Sequence, residues 1–168
     1  LLWSHFFWFI RVSKKIITKK FQEIGIEDDF VQDNQSNSSK GILRGLHFQI
    51  PPFAQAKLVR VIRGSVLDVA VDLRSNSSTY GKHYSIVLSD KNFKSLYIPE
   101  GFAHGFVALE DNTIFSYKCS DMYNKKYEGC LLWNDQDLGI DWNINNPFIS
   151  QKDMQGLYFK DFKSKFND

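Results

Sequence analysis

Apolar and polar residues alternate along most of the chain in short runs separated by turn residues. Within VLDVAVDL, residues 66–73, Leu67, Val69, Val71 and Leu73 share one side at the two-residue period of a β-strand. Residues 113–119 repeat the pattern with Thr113, Phe115, Tyr117 and Cys119. Residues 55–62, 84–88, 96–98, 131–133 and the run ending at Leu109 read as further strands, with turns at 63–65, 90–94 and 110–112. Residues 41–48, GILRGLHF, carry a complication. Strict alternation sends Arg44 and His47 to opposite faces, and Gly45 between them is where a bulge would return both to one side. Residues 21–26 predict a short helical piece closed by Gly25. Residues 35–40, QSNSSK, read as a loop by composition. Met154, Tyr158, Phe162 and Phe166, spaced by four, predict a C-terminal helix despite Gly156. Short, evenly spaced strands with little helix define an all-β class, an antiparallel sandwich or barrel.

Composition narrows the classes of function. A chain of 168 residues is most simply one domain with a real core. Its 21 basic and 19 acidic residues leave a net charge of +2, and no concentrated basic face points to nucleic acid. The opening LLWSHFFWFI is too short to span a bilayer and lacks the layout of a secretion signal, so no membrane partner is expected. Cys119 and Cys130 show neither metal-ligand spacing nor a disulfide framework, which fits reduced thiols in the cytoplasm. His5, His47, His83 and His104 include no HxH pair, which argues against a metal site.

The stretch from 41 to 64 brings Arg44, His47, Lys57 and Arg60 into runs rich in Ile, Leu and Val. Ionisable groups are scarce in such runs unless partnered, so this sheet is expected to line a polar cleft. Taken singly the residues stay ambiguous. His47 also reads as a hydrogen-bonded structural histidine, Lys57 as an edge lysine reaching solvent and Tyr117 as a core aromatic.

Five blocks decide between these readings. LRGLHFQ, AQAKLVR, GSVLDVAVDLR, IPEGFAHGF and WNDQDLGIDW, in order between about Phe21 and Asp153, resemble the nucleotide-sugar 4-keto-6-deoxyhexose 3,5-epimerases, the family of dTDP-4-dehydrorhamnose 3,5-epimerase. The resemblance implies a cupin-type jelly roll with short peripheral helices, a homodimer, a nucleoside-diphosphate sugar substrate, and neither cofactor nor metal. It implies His47 as catalytic base paired with Asp153, Lys57 facing the enolate oxygen, and Tyr117 as the acid on the opposite face of the sugar. Gln32, Asp33 and Asn34 would contact the base and sugar, and Tyr123 would stack on the base. Arg44 and Lys152 would meet the diphosphate, Glu128 a further part of the substrate and His104 the sugar. Related activities stay open, namely a GDP-linked heptose epimerase, an inactive sugar-nucleotide-binding cupin and a metal-dependent cupin oxygenase. Residues 1–20 depart from the pattern and lack the family's arginine-bearing Asp-x-Arg-Gly-Phe-Phe-like segment. They are expected to be a divergent start or one translated out of frame, with the epimerase domain spanning 21–168.

Overall fold

The computed structural model describes residues 9–11, 18–23 and 25–166. In chain order its elements are β1 (Phe9–Arg11), α1 (Thr18–Glu23), β2 (Gln32–Ser38), β3 (Ile42–Gln49), β4 (Lys57–Arg63), β5 (Ser65–Asp72) and β6 (His83–Ser89). They continue as β7 (Lys94–Ile98), β8 (Phe102–Ala108), β9 (Thr113–Cys119), β10 (Glu128–Cys130), β11 (Phe148–Ile149), α2 (Gln151–Met154) and a 3-10 turn at Phe159–Asp161. One sheet runs β1-β7-β4-β9-β2 and the other β10-β3-β8-β5-β6, with β11 added in parallel to β3. The remaining pairings are antiparallel, and the two sheets form the antiparallel sandwich that the alternating pattern implied, in the jelly-roll form that the resemblance implied.

Burial explains why β5 is so apolar. Val66 and Ala70 face the sandwich interior with Val59, Leu96, Phe106 and Phe115. The stripe Leu67, Val69, Val71 and Leu73 faces the other way, where it meets Leu43, Leu46, Phe48, Trp142 and Phe166. The six-stranded sheet is thus covered on both faces, by the partner sheet and by the C-terminal chain, and each face contributes a hydrophobic layer. A smaller cluster of Phe21, Ile26 and Leu58 sits apart from these two layers. Gly25 ends that helical piece at φ +86°, a conformation that suits glycine.

Three expectations need correction. Residues 32–38 form a strand rather than leading into a loop at 35, because all seven pair with β9, from Gln32 opposite Cys119 to Ser38 opposite Thr113. Its polar residues are tolerated because the strand lies at the sheet edge, where side chains reach solvent. The late strand lies at Glu128–Cys130 rather than 131–133, and Leu131 makes only an isolated bridge to Leu157. The four-residue spacing at the C-terminus does not form one helix. A Cβ at Gly156 would meet the backbone of Leu131, so the chain there lies flat against its neighbour. Met154 and Tyr158 are exposed, whereas Phe162 and Phe166 pack on Phe48. The expectation for residues 1–20 falls largely outside the described residues. No described helix is long and apolar enough to cross a membrane.

Candidate active site

A cavity of about 600 Å³ opens between the sheets, with β2, β4 and β9 on one wall and β3, β8 and β10 on the other. Backbone geometry in β3 puts two basic side chains into it. The β3–β8 register shifts between Arg44 and His47, so Leu43 ahead of the shift and Leu46 and Phe48 after it all face the apolar layer. Arg44 and His47 consequently both line the cavity. Gly45 makes the shift at φ +125°, where a Cβ would strike Gly105 of β8 and stand 2.8 Å from the His104 carbonyl oxygen. A side chain at 45 is incompatible with that approach.

His47 is half-buried and its Nε2 lies 2.6 Å from Asp153 Oδ1. Asp153 is buried at the start of α2, where its backbone N–H donates to Ser150 Oγ at 3.1 Å and its Oδ2 accepts from Gly45 N at 3.4 Å. Burial works to raise the Asp153 pKa, but the His47 hydrogen bond and charge outweigh it and hold the carboxyl below its usual range. A carboxylate only accepts, so Nε2 carries the shared proton, and in the neutral imidazole the lone pair is then on Nδ1.

Lys57 stands at the start of β4, 8 % exposed, and donates to the His47 carbonyl oxygen across a long 3.4 Å. Burial pushes its pKa down, against the opposing pull of Cys119, Asp68 and Glu128. Tyr117 projects from β9 into the same cavity on the wall facing β3. Burial raises its phenol, Cys119 adds to this and Arg44 opposes it. Behind them lies a second histidine–carboxylate pair. His104 Nε2 of β8 sits 3.0 and 3.1 Å from the Asp68 oxygens of β5, with both residues buried. Asp68 was not among the residues singled out from sequence, although a charge interrupting VLDVAVDL opposite its apolar stripe was a usable signal.

Farther along the cavity, Gln32 and Asn34 line the wall made by β2, joined by a 2.9 Å bond from Gln32 Nε2 to Asn34 Oδ1. Asp33 does not join them. The two-residue period turns it to the outer face, where it pairs with Lys118 at 2.6 Å, both exposed. Glu128 collects Lys152 at 2.6 Å and the Tyr123 hydroxyl at 2.9 Å. Burial favours its neutral form, but those two bonds prevail and hold Glu128 below the usual carboxylate range. Arg44 makes no ion pair among the described residues and is exposed at the cavity mouth. The cavity also holds Cys119, on the Tyr117 face of β9, and Gln49 and Gln55, which sequence reasoning passed over because neutral polar residues beside turns carry no distinctive pattern.

One group of the described residues has metal-ligand composition. His47, Cys130 and Asp153 present donor atoms within 4.8 Å of one another. Two of the three are already engaged with each other, and burial together with Asp153 pushes the Cys130 thiol up to about 12. Metal binding needs a thiolate, so this trio reads as a histidine–carboxylate pair beside a protonated thiol.

A sugar-sized cavity with an oriented imidazole on one sheet, a phenol on the facing sheet and a buried lysine between them defines an acid–base enzyme on a cupin-type jelly roll. The chain belongs to the dTDP-4-dehydrorhamnose 3,5-epimerase family, whose sequence pattern matches residues 12–161, and it is a carbohydrate epimerase. The match extends beyond the blocks read between Phe21 and Asp153. The dTDP-4-dehydrorhamnose 3,5-epimerase of Shigella flexneri is 50% identical over 144 residues, 85% of this chain and 80% of its own. The crystal structure of dTDP-4-dehydrorhamnose 3,5-epimerase from Elizabethkingia anophelis superposes with TM-score 0.84 at 52% identity, covering 87% of this chain and 82% of that one. The Legionella pneumophila dTDP-6-deoxy-D-glucose-3,5-epimerase, solved in complex with dTDP-4-keto-L-rhamnose, superposes at 0.85 with 41% identity, covering 89% and 80%.

Proposed function

We propose that the enzyme inverts C3 and C5 of a dTDP-linked 4-keto-6-deoxy sugar, with His47 as base and Tyr117 as acid. The observation that carries this reading is the placing of His47, held by Asp153 at 2.6 Å, and of Tyr117 on opposite walls of one cavity. The 4-ketone acidifies the hydrogens on both neighbouring carbons. His47 Nδ1 takes one of them, and the electron pair passes into an enolate whose oxygen meets the Lys57 ammonium. Tyr117 returns a proton to the other face of the same carbon, which inverts it. Solvent then reclaims the proton from His47 and restores the one lost by Tyr117. The raised Tyr117 pKa suits this step, because the phenol stays protonated until a carbanion of higher basicity forms.

The nucleotide end is assigned to Gln32, Asn34 and Tyr123, the diphosphate to Arg44 and Lys152, a substrate contact to Glu128 and the sugar to His104. Asp33 faces away from this cavity and pairs with Lys118 instead of reaching the base. Solvent deuterium exchange at C3 and C5, followed by NMR with dTDP- and GDP-linked 4-keto sugars, tests the assignment. His47→Ala is expected to abolish exchange at both carbons of the dTDP sugar, a loss of about 10³-fold or more. Exchange retained in that variant would remove His47 from the base role.

The proposal extends to a cytoplasmic homodimer of one epimerase domain, which takes in 21–168 and, since the family pattern begins at residue 12 and β1 pairs with β7, part of the stretch before it. Two free thiols favour the reducing compartment. Light scattering on the purified chain is expected to give twice the 19.6 kDa monomer mass, and a monomer at micromolar concentration would remove the dimer.

A further inference from the structure

The loop between β9 and β10 presents Tyr123, 53 % exposed, to the cavity. From Asp121 to Asn124 its backbone is held by side-chain amides from three other segments. Gln55 Nε2 donates to Asp121 O at 2.6 Å and Gln49 Nε2 to Met122 O at 3.2 Å. Tyr123 N donates to Gln32 Oε1 at 2.8 Å, and Asn124 N donates to Gln49 Oε1 at 2.6 Å. Gln49 also donates to Phe53 O at 2.7 Å, so one amide ties the loop after β3 to the loop after β9. It is 4 % exposed, two residues beyond His47 at the end of β3.

We infer that Gln49 is a positioning residue that sets affinity for the nucleotide by fixing the backbone on which Tyr123 stands; this rests on the reading of Tyr123 as the base-stacking residue. An amide suits the task because it offers two donors and an acceptor at one point, matching two carbonyls and one N–H. A hydrophobic replacement takes the partner from those three part-buried groups at once, so the loop gives way rather than keep its geometry. Stacking demands a fixed ring plane, whereas the acid–base groups on β3, β4 and β9 do not depend on residues 121–124. Loss of the clamp therefore falls on substrate binding and spares the chemical step.

Gln49→Leu is expected to raise KM for the dTDP sugar about tenfold or more while kcat stays within about twofold. Hydrogen exchange at the Asn124 amide should accelerate, with the β5 and β8 amides unchanged. Combined with Tyr123→Ala, the second substitution should add little to KM, because both remove the same contact. Gln55→Leu, which releases only Asp121 O, is the milder variant should Gln49→Leu fail to fold, and a smaller KM rise of about threefold is expected. Unchanged exchange at Asn124 overturns the clamp and leaves the epimerase reading standing. Faster exchange with unmoved KM overturns the link to nucleotide binding and, with it, the stacking role of Tyr123. A fall in kcat as large as the rise in KM, or effects that multiply with Tyr123→Ala, overturns the route through Tyr123.

Discussion

Lys57 shows function and stability opposed within a single side chain. Its ammonium lies almost out of water with one long hydrogen bond among the described residues, and burial depresses its pKa below the ordinary 10.5. Between the folded value and 10.5 the unfolded chain binds more protons than the folded one, so stability rises with pH across that window. Below it the folded protein bears the full cost of a desolvated cation, which a substrate oxyanion would relieve. Lys57→Met is accordingly expected to raise stability at pH 7 by about 1 kcal/mol, roughly 3 °C in Tm. The same change should cut exchange activity about 10²-fold or more by removing charge from the developing enolate. The Tm advantage should shrink as pH climbs toward 10.5, because the wild-type lysine then sheds its proton. Paired thermal melts across pH check this, and a less stable variant at pH 7 would mean that Cys119, Asp68 and Glu128 already compensate the cation.

At the scale of strands, legibility followed the strength of the local pattern. β5, β8 and β9 are dense in β-branched and aromatic residues, and their period of two placed Tyr117 and Cys119 on a common face. β2 was hidden because QDNQSNS carries no apolar signal, and it becomes a strand only through its ladder with β9. Propensity yields to tertiary pairing there, and the same pairing explains why Gln32 and Asn34 enter the cavity while Asp33 leaves it. The bulge in β3 lay between these extremes. Gly45 marked where alternation could break, but only the approach of Gly105 from β8 shows why it must. His47 and Asp153 lie 106 residues apart, and no local rule joins them. Their pairing was available only through resemblance, whereas Asp68 as the partner of His104, together with Gln49 and Gln55, became visible only once the strands were assembled.

The whole molecule depends on a layer that no strand supplies. The six-stranded sheet carries His47, Arg44 and His104 on its cavity side, and its back would stand in water without the C-terminal chain. That chain supplies the cover through Trp142, Phe162 and Phe166, with Phe162 5.2 Å and Phe166 6.3 Å from the ring of Phe48. Phe166 is also tied by its backbone, accepting from Ser75 N at 3.1 Å and bridging Arg74. Phe48 follows His47 directly and faces the opposite side, so whatever loosens the tail loosens the strand that aims the base. Phe166→Ala is therefore expected to cost about 3 to 5 kcal/mol, the range for a large aromatic removed from a packed layer. Against a total of roughly 5 to 15 kcal/mol for a typical domain, that is enough to lower Tm by about 10 °C. Phe166→Leu should recover most of the loss, because it refills much of the volume without a polar atom. Denaturant melts of both variants decide the matter. If the alanine variant unfolds within about 1 kcal/mol of wild type, the tail is an accessory and the sheet closes its back by other means.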